Sequence, residues 1–229
     1  MKVLEPDLLD AGIFTVPEVA ALVQAPADLV RTWIIGRPDR QTAVIDNQLG
    51  RVGGKVAISF ANLMELRFVA RFAKEGIKLR EIRKIMTEAK ELMGKHPHPF
   101  ATRLVFRTDG KKILADTVSK NGHDLYDLRS RNFEFWDVVA DSLKEDIVFD
   151  PQGEAAAWYP RRTLAPNVVV NPAFSFGRPT LKQSHIPTET LADAVKAEGS
   201  ARVVAKLFEV PEKQVYEAVK FQRDLRKAA

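Results

Sequence analysis

The stretch Val168-Val-Val-Asn-Pro-Ala-Phe-Ser-Phe-Gly-Arg-Pro-Thr180 decides the fold of the end of the chain. Its valines predict a short strand, which the Asn171-Pro172 step ends. A turn at Gly177-Arg178-Pro179 follows, and after it the residues carry helix signals. Composition alone does not produce such an ordered series of strand, turn and helix signals. The series therefore indicates a defined closing domain.

Three helices are predicted after this turn. Thr188 is expected to cap the first, which ends at Gly199, and Ser200 is expected to cap the second. Pro211 suits the first position of the third helix, where its missing N–H has no partner to lose. This is the plan of a helix-turn-helix unit. We expect its shared core to contain Val203, Val204, Leu207, Val215, Ala218 and Val219.

A second helical unit is predicted near the N-terminus. Thr15-Val-Pro-Glu18 fits a capping box, Ala25-Pro26 breaks the helix that it starts, and another helix runs from about Ala27 to Ile35. A glycine-containing segment follows, in which Val44-Ile45 and Val56-Ala57-Ile58 are short strand candidates. The segment Phe14–Ile58 is therefore predicted to be a winged helix-turn-helix.

The segment between these units is predicted to be partly helical and partly β. Helices are expected at about Phe60–Lys74 and Leu79–Leu92, before the breaker His96-Pro-His-Pro99. Hairpins are expected at Leu104–Ala115 and around Asp150-Pro-Gln-Gly153, with a short helix from Phe135 to Leu143 between them. The predicted fold class is α+β, mainly α. Its three segments are a winged-helix domain at 1–99, a small mainly-β module at 100–165 and a helical domain at 166–229.

Composition excludes several classes of protein. The 229 residues contain no cysteine, which rules out disulfides, thiolate zinc sites, iron–sulfur clusters and cysteine nucleophiles. A net charge of +5 and a pI near 9.4 permit contact with nucleic acid. No apolar run approaches the roughly 18 residues of a membrane span, and the N-terminus lacks an export pattern. We therefore expect a cytoplasmic protein without membrane contact.

The second predicted N-terminal helix carries the candidate DNA-binding residues. In a major groove, Arg31 and Thr32 would point toward bases, and Asp28 toward a cytosine amino group. The remaining candidates are cations that would reach phosphate or the flanking groove, namely Arg37 and Arg40 after the helix and Arg51 and Lys55 on the wing. The alternative interpretation is an ordinary helical hairpin with solvated arginines.

The other charged patterns favour surfaces rather than chemistry. On the last helix, Glu212, Lys213, Gln214, Glu217 and Lys220 have mixed signs, which suits a protein-binding surface better than a phosphate-binding one. Arg67, Arg71, Lys74 and Lys78 share a helix face that is expected to be solvated. His96 and His98 are interpreted as part of a helix breaker. We find no catalytic constellation, metal site or cofactor site, so an enzyme is not expected.

Two parts of the sequence resemble parts of one known family. Phe14-Thr-Val-Pro-Glu-Val-Ala20, Leu29-Val-Arg-Thr-Trp33, Ile58-Ser-Phe60 and Glu75-Gly-Ile-Lys-Leu79 resemble a MerR-like winged helix. The closing stretch, from Asn171-Pro through Phe176-Gly-Arg-Pro179 and Ile186-Pro to Val215–Phe221, is similar to a short bacterial domain found in antitoxins. Together they look like a VapB-type antitoxin with a MerR-like head.

The resemblance implies a function and partners. The partner would be a VapC-type toxin, a PIN-domain ribonuclease, and the head would repress the shared operon as a homodimer on a two-fold operator. Basic side chains would block the acidic toxin site, with Arg161, Arg162, Arg223, Arg226 and Lys227 as candidates. The long dimerisation helix and the sensing cysteines of MerR regulators are absent. The alternative is a one-component MerR-like transcription regulator that responds to a small ligand.

Overall fold

The computed structural model describes residues 11–37, 42–94, 96–103 and 145–228. These residues form an α+β fold that is mainly α, as the sequence predicts. The helices are α1 (Val16–Val23), α2 (Ala27–Ile35), α3 (Phe60–Lys74), α4 (Leu79–Leu92), α5 (Thr188–Glu198), α6 (Ala201–Leu207) and α7 (Glu212–Ala228). The strands are β1 (Arg51–Val52), β2 (Lys55–Val56), β3 (Ile147–Phe149), β4 (Ala155–Trp158), β5 (Val168–Val169) and β6 (Thr180–Leu181).

The described residues form two compact units, each discontinuous in sequence. The terminal unit consists of the described parts of Met1–Ala27, Leu49–Phe60 and Ala156–Ala229. The middle unit consists of the described parts of Asp28–Gln48 and Ala61–Ala155. The sequence predicts three consecutive segments instead, because pattern alone does not show that α1 packs against α7.

Short antiparallel pairings join distant parts of the terminal unit. In β5 and β6, Val168 pairs with Leu181, so the Val168–Thr180 stretch closes on itself as a narrow ribbon. Phe14 and Ile58 form an isolated bridge through two N–H···O bonds of 2.9 Å. Trp158 and Val170 form another, at 2.8 and 2.9 Å.

The three closing helices pack on one another in the terminal unit. Gly199 ends α5 with a φ of 69°, and the Ser200 side chain caps α6 by accepting from the Val203 N–H at 3.4 Å. Both predictions are confirmed. Thr188 is the first residue of α5 rather than its cap, and its hydroxyl donates to the Pro179 carbonyl at 3.2 Å. The predicted core residues Val204, Val215 and Ala218 are buried.

Two predicted core residues of α6 are exposed instead. Val203 is 47% exposed and Leu207 is 65% exposed. This short helix buries Ala201, Val204 and Ala205 on one side. Because side chains four residues apart share a helix face, Val203 and Leu207 lie together on the other side. Val219 is half-buried.

The core of the middle unit is built around α3. The ring of Phe68 stacks on Phe100 at a centroid distance of 3.7 Å and lies 4.1 Å from the ring of Phe72. Helix α4 adds an apolar face, in which Ile82, Ile85, Met86 and Ala89 are buried. Aromatic and aliphatic burial of this kind accounts for the largest favourable part of the folding free energy.

The predicted strand at Val44-Ile45 is wrong. Both residues are buried, and both N–H groups donate to the Trp33 carbonyl, at 2.7 and 3.3 Å. The predicted turn at Asp150–Gly153 is confirmed, since the Asp150 N–H donates to the Glu154 carbonyl at 2.9 Å. The predicted hairpin at 104–115 and the helix at 135–143 lie outside the described residues.

Candidate nucleic-acid and partner surfaces

Helix α2 presents two of the predicted DNA-binding residues to solvent. Asp28 and Arg31 are exposed, while the opposite side of the helix buries Val30, Trp33 and Ile34. Thr32 is half-buried, and its hydroxyl donates to the Asp28 carbonyl at 2.9 Å. The donor of Thr32 is thus used within the helix, and its oxygen can still accept a hydrogen bond. Arg31 is the best placed of the three for a base contact.

Three of the remaining candidates, Arg37, Arg51 and Lys55, are exposed cations. Arg37 follows α2 in the middle unit, and Arg40 lies outside the described residues. Arg51 and Lys55 belong to the β1–β2 hairpin of the terminal unit. The Nη1 group of Arg51 donates to the Gly54 carbonyl at 2.8 Å, which holds the side chain against the turn and leaves other guanidinium donors for phosphate.

Arg161 is used inside the terminal unit. Its Nε donates to Asp224 Oδ2 of α7 at 2.5 Å, and its Nη2 donates to the Ala21 carbonyl at 3.0 Å. Its Nη1 reaches the carbonyls of Leu22 and Pro160, each at 2.9 Å. The guanidinium therefore caps the last turn of α1 and joins it to α7. Because all three guanidinium nitrogens donate to acceptors within the unit, these bonds favour a structural role for Arg161 over the predicted contact with a toxin.

The other predicted partner-binding cations remain at the surface. Arg162 is exposed, with its guanidinium 5.2 Å from the centre of the Tyr159 ring. The Nη2 group of Arg226 lies 3.7 Å from Asp193 Oδ1, and both side chains are well exposed. Arg223 and Lys227 are exposed, and neither forms an ion pair with the described residues.

The charge of Glu217 does not contribute to the surface of α7. Its side chain is only 5% exposed. The carboxylate accepts from the backbone N–H of Asn167 at 3.0 Å and from its Nδ2 at 3.0 and 3.2 Å. The mixed-charge interpretation of the last helix was wrong at this residue, because its partner lies 50 positions away in sequence. No periodicity within the helix shows that.

The terminal unit contains an apolar cleft that the sequence does not indicate. Its volume is about 290 Å³, and apolar side chains from α1 and α7 form much of its wall. Arg178 and Glu189 bring opposite charges to it, and Gln222 adds an amide. The other lining residues are Ile13, Phe14, Pro17, Glu18, Ala21, Leu22, Pro179, Leu225 and Arg226. A cleft with this lining can hold a small, mainly apolar group with polar ends.

The middle unit buries a polar cluster. His98 Nδ1 lies 3.1 Å from Glu65 Oε2, and both side chains are almost fully buried. Asn62 Nδ2 donates to the Asp46 carbonyl at 2.9 Å, and its Oδ1 accepts from the Gln48 N–H at 3.0 Å. His98 therefore packs into the fold, beyond the helix-breaking role predicted for it. Within the described part of the chain, no three acidic or histidine side chains group to hold a metal ion.

Arg67 does not belong to a solvated face. It is buried, and its Nη2 lies 3.9 Å from Asp146 Oδ2. Desolvation lowers the pKa of Arg67 to about 10, and the negative charge of Asp146 opposes that shift. The guanidinium is still charged at neutral pH. The predicted basic stripe of α3 is thus broken at its first member, because pattern alone does not show which arginine the fold buries.

None of the helices in the described ranges has the length and apolar character that crossing a membrane requires.

Comparisons with known proteins show the fold. No family model and no curated protein matches the chain. Among solved structures, the crystal structure of Rv2018 from Mycobacterium tuberculosis is similar, with a TM-score of 0.71 at 18% sequence identity. The similarity covers 90% of this chain and 96% of that one. At this level of identity, the likeness describes the fold of the chain alone.

Proposed function

We propose that the chain is the antitoxin of a type II toxin–antitoxin system. It neutralises a PIN-domain, VapC-type ribonuclease toxin by binding it, and it represses its own operon by binding operator DNA. In this proposal it is a cytoplasmic homodimer that catalyses no reaction. The observation that carries the proposal is that one chain exposes Arg31 on α2, two cations on the hairpin and an apolar face on α6.

The DNA-binding part of the proposal rests on α2 and the β1–β2 hairpin. Arg31 lies on the solvent side of a helix whose other side is buried, as a base-reading side chain must. Exposed Arg51 and Lys55 suit contacts to phosphate, which position a protein on DNA without reading its sequence. A homodimer would place two such heads on a two-fold operator.

The toxin-binding part of the proposal rests on α6. Val203 and Leu207 are large apolar side chains left exposed on one face, and such side chains mark protein-binding surfaces when they are grouped. Exposed Arg202 and Lys206 lie beside them and would complement an acidic toxin. Four of the five candidate cations are exposed and would reach the toxin carboxylates, namely Arg162, Arg223, Arg226 and Lys227.

Co-expression with the product of the adjacent reading frame tests this proposal. We expect that product to arrest growth alone, and the present chain to restore growth and co-purify with it as a stable complex. The control is the same co-expression with a Leu207→Glu chain, which should restore growth less well because the α6 face then carries a charge. A neighbour that is harmless alone and never co-purifies would refute the antitoxin role.

The cleft of the terminal unit favours a second candidate function. Its volume of about 290 Å³ and its opposite charges at Arg178 and Glu189 suit a small ligand, as in a one-component MerR-like regulator. A thermal-shift screen with metabolites tests this candidate, since a ligand that binds only the folded state raises the melting temperature. An Ala21→Leu chain, in which the cleft is narrowed, should lose the response. The absence of any responding ligand would count against the regulator.

A further inference from the structure

Helix α7 exposes a regular basic stripe to which the proposed function assigns no DNA contact. Its members are Lys213, Tyr216, Lys220, Arg223 and Lys227, and all five are exposed. They follow one another at intervals of three and four residues, so they share one helix face. From first to last, the stripe spans about 21 Å along the helix axis, at 1.5 Å per residue.

Among the acidic side chains of α7, only that of Glu212 is exposed beside this stripe. Of the acids of α7, Glu217 is buried against Asn167, and Asp224 is bonded to Arg161. Glu212 is exposed in the first turn, where it also favours the helix dipole. Within the described ranges, none of the four stripe cations takes part in an ion pair. Like charges three and four residues apart repel one another, so the arrangement favours a polyanionic ligand.

We propose that the α7 stripe binds the phosphate backbone of duplex DNA. Lysine and arginine neutralise phosphates and release counterions, and a tyrosine hydroxyl donates to phosphate oxygens. Helix α7 is the second helix of the unit formed by α6 and the short turn before Glu212, which is the helix that lies in the groove in helix-turn-helix proteins. The proposal goes beyond the proposed function, which assigns DNA binding to α2 and the hairpin alone.

Nucleic acid fits the stripe better than an acidic protein does. Three of the five members are lysines, which are depleted in protein–protein interfaces. The only aromatic member is Tyr216, which is 51% exposed and has no apolar neighbour within the stripe itself. An acidic protein surface would require an apolar centre to hold it.

The test measures binding of the full-length Lys220→Gln/Arg223→Gln chain to a short random-sequence DNA duplex over a series of salt concentrations. Loss of two phosphate contacts should lower the slope of log affinity against log salt by about 1.8. A matched control, Lys182→Gln/Lys196→Gln, removes the same charge from exposed residues of the same unit and should leave the slope unchanged. A charge-preserving Lys220→Arg/Arg223→Lys chain should behave as the parent does.

Several outcomes would overturn the proposal. Equal slope changes in the stripe and control chains would show that only net charge matters, and no change in either would leave the stripe as solvated surface. Binding to single-stranded RNA with no binding to duplex DNA would also overturn it. So would an unchanged slope combined with loss of the co-purifying toxin, because the stripe would then bind protein. Arg31→Ala leaves the stripe intact, so its effect on operator binding tests the proposed function independently of the stripe.

Discussion

Arg161 illustrates how one side chain can be assigned a role only when its partners are known. A basic pair at 161–162 is an equally good candidate for solvent, toxin or interior from sequence. In the structure, Arg161 donates to an acid of α7 and to the carbonyls at the end of α1, whereas Arg162 is exposed. Charge-assisted hydrogen bonds to several acceptors stabilise more than an exposed ion pair does.

Replacing Arg161 with alanine should destabilise the fold. The change leaves Asp224 and the end of α1 without their donor, at a cost of about 2–4 kcal/mol in the free energy of unfolding. Urea denaturation measures this cost. Arg202→Ala, at an exposed arginine of the same unit, is the matched control and should change stability by less than about 0.5 kcal/mol. An Arg161→Ala chain that is fully stable but fails to bind a toxin would show that Arg161 contacts the toxin and does not stabilise the fold.

Gly177 is a position that only glycine fits. Its φ is +85°, and a Cβ there would lie 2.6 Å from Cζ of Phe14, whose ring is 2% exposed and has little room to move. Gly177→Ala should therefore cost about 3 kcal/mol or more, combining backbone strain with overlap. Gly199→Ala has a similar φ of +69° but no atom within 4 Å, so it should cost only about 1 kcal/mol. If urea denaturation shows the same loss of stability for Gly177→Ala and Gly199→Ala, the overlap with Phe14 does not contribute to the cost.

At the scale of the elements, local signals predicted the helices well and the long-range contacts poorly. The capping box at Thr15 and Glu18 forms as predicted, with the Thr15 N–H and hydroxyl each 2.7 Å from Glu18 Oε2. The bounds of α2, α3 and α4 follow because caps and breakers act within one turn. The exposure of Leu207 and the burial of Glu217 depend on residues far away in sequence. The spacing of apolar residues predicts a helix, but in a short helix it does not predict which side is buried against the rest of the unit.

Helix α2 can be tested as a DNA reader by comparing two arginines. If Arg31 contacts a base, Arg31→Ala should weaken operator binding by about 1–3 kcal/mol and have less effect on random-sequence DNA. Arg51→Ala, on the hairpin, should weaken both to a similar extent and lower the salt slope by about 0.9. Fluorescence anisotropy with the two duplexes separates these results. An unchanged operator affinity for Arg31→Ala would move sequence recognition to another element.

At the scale of the whole molecule, the two units share the candidate functions. The residues proposed to read bases belong to the middle unit, whereas the hairpin cations and the apolar face of α6 belong to the terminal unit. The sequence predicts a single winged-helix domain at 1–99 for all of the candidate DNA-binding residues, whereas the described ones are divided between the two units. In the proposed function, the toxin and the operator contact side chains of different helices, so single substitutions can test the two contacts one at a time.

If the toxin and the operator contact different side chains, one substitution should weaken toxin capture alone and another should weaken operator binding alone. Leu207→Glu should reduce toxin capture at least about tenfold, since a charge buried in an apolar contact costs more than about 1.4 kcal/mol, while operator affinity stays nearly unchanged. Arg31→Ala should do the reverse. Leu164→Glu adds the same charge at another exposed leucine of the terminal unit and should preserve both activities. Pull-down of the toxin and anisotropy with the operator provide the two measurements. If Leu207→Glu weakens operator binding as strongly as toxin capture, the two functions share one surface and the proposed separation is wrong.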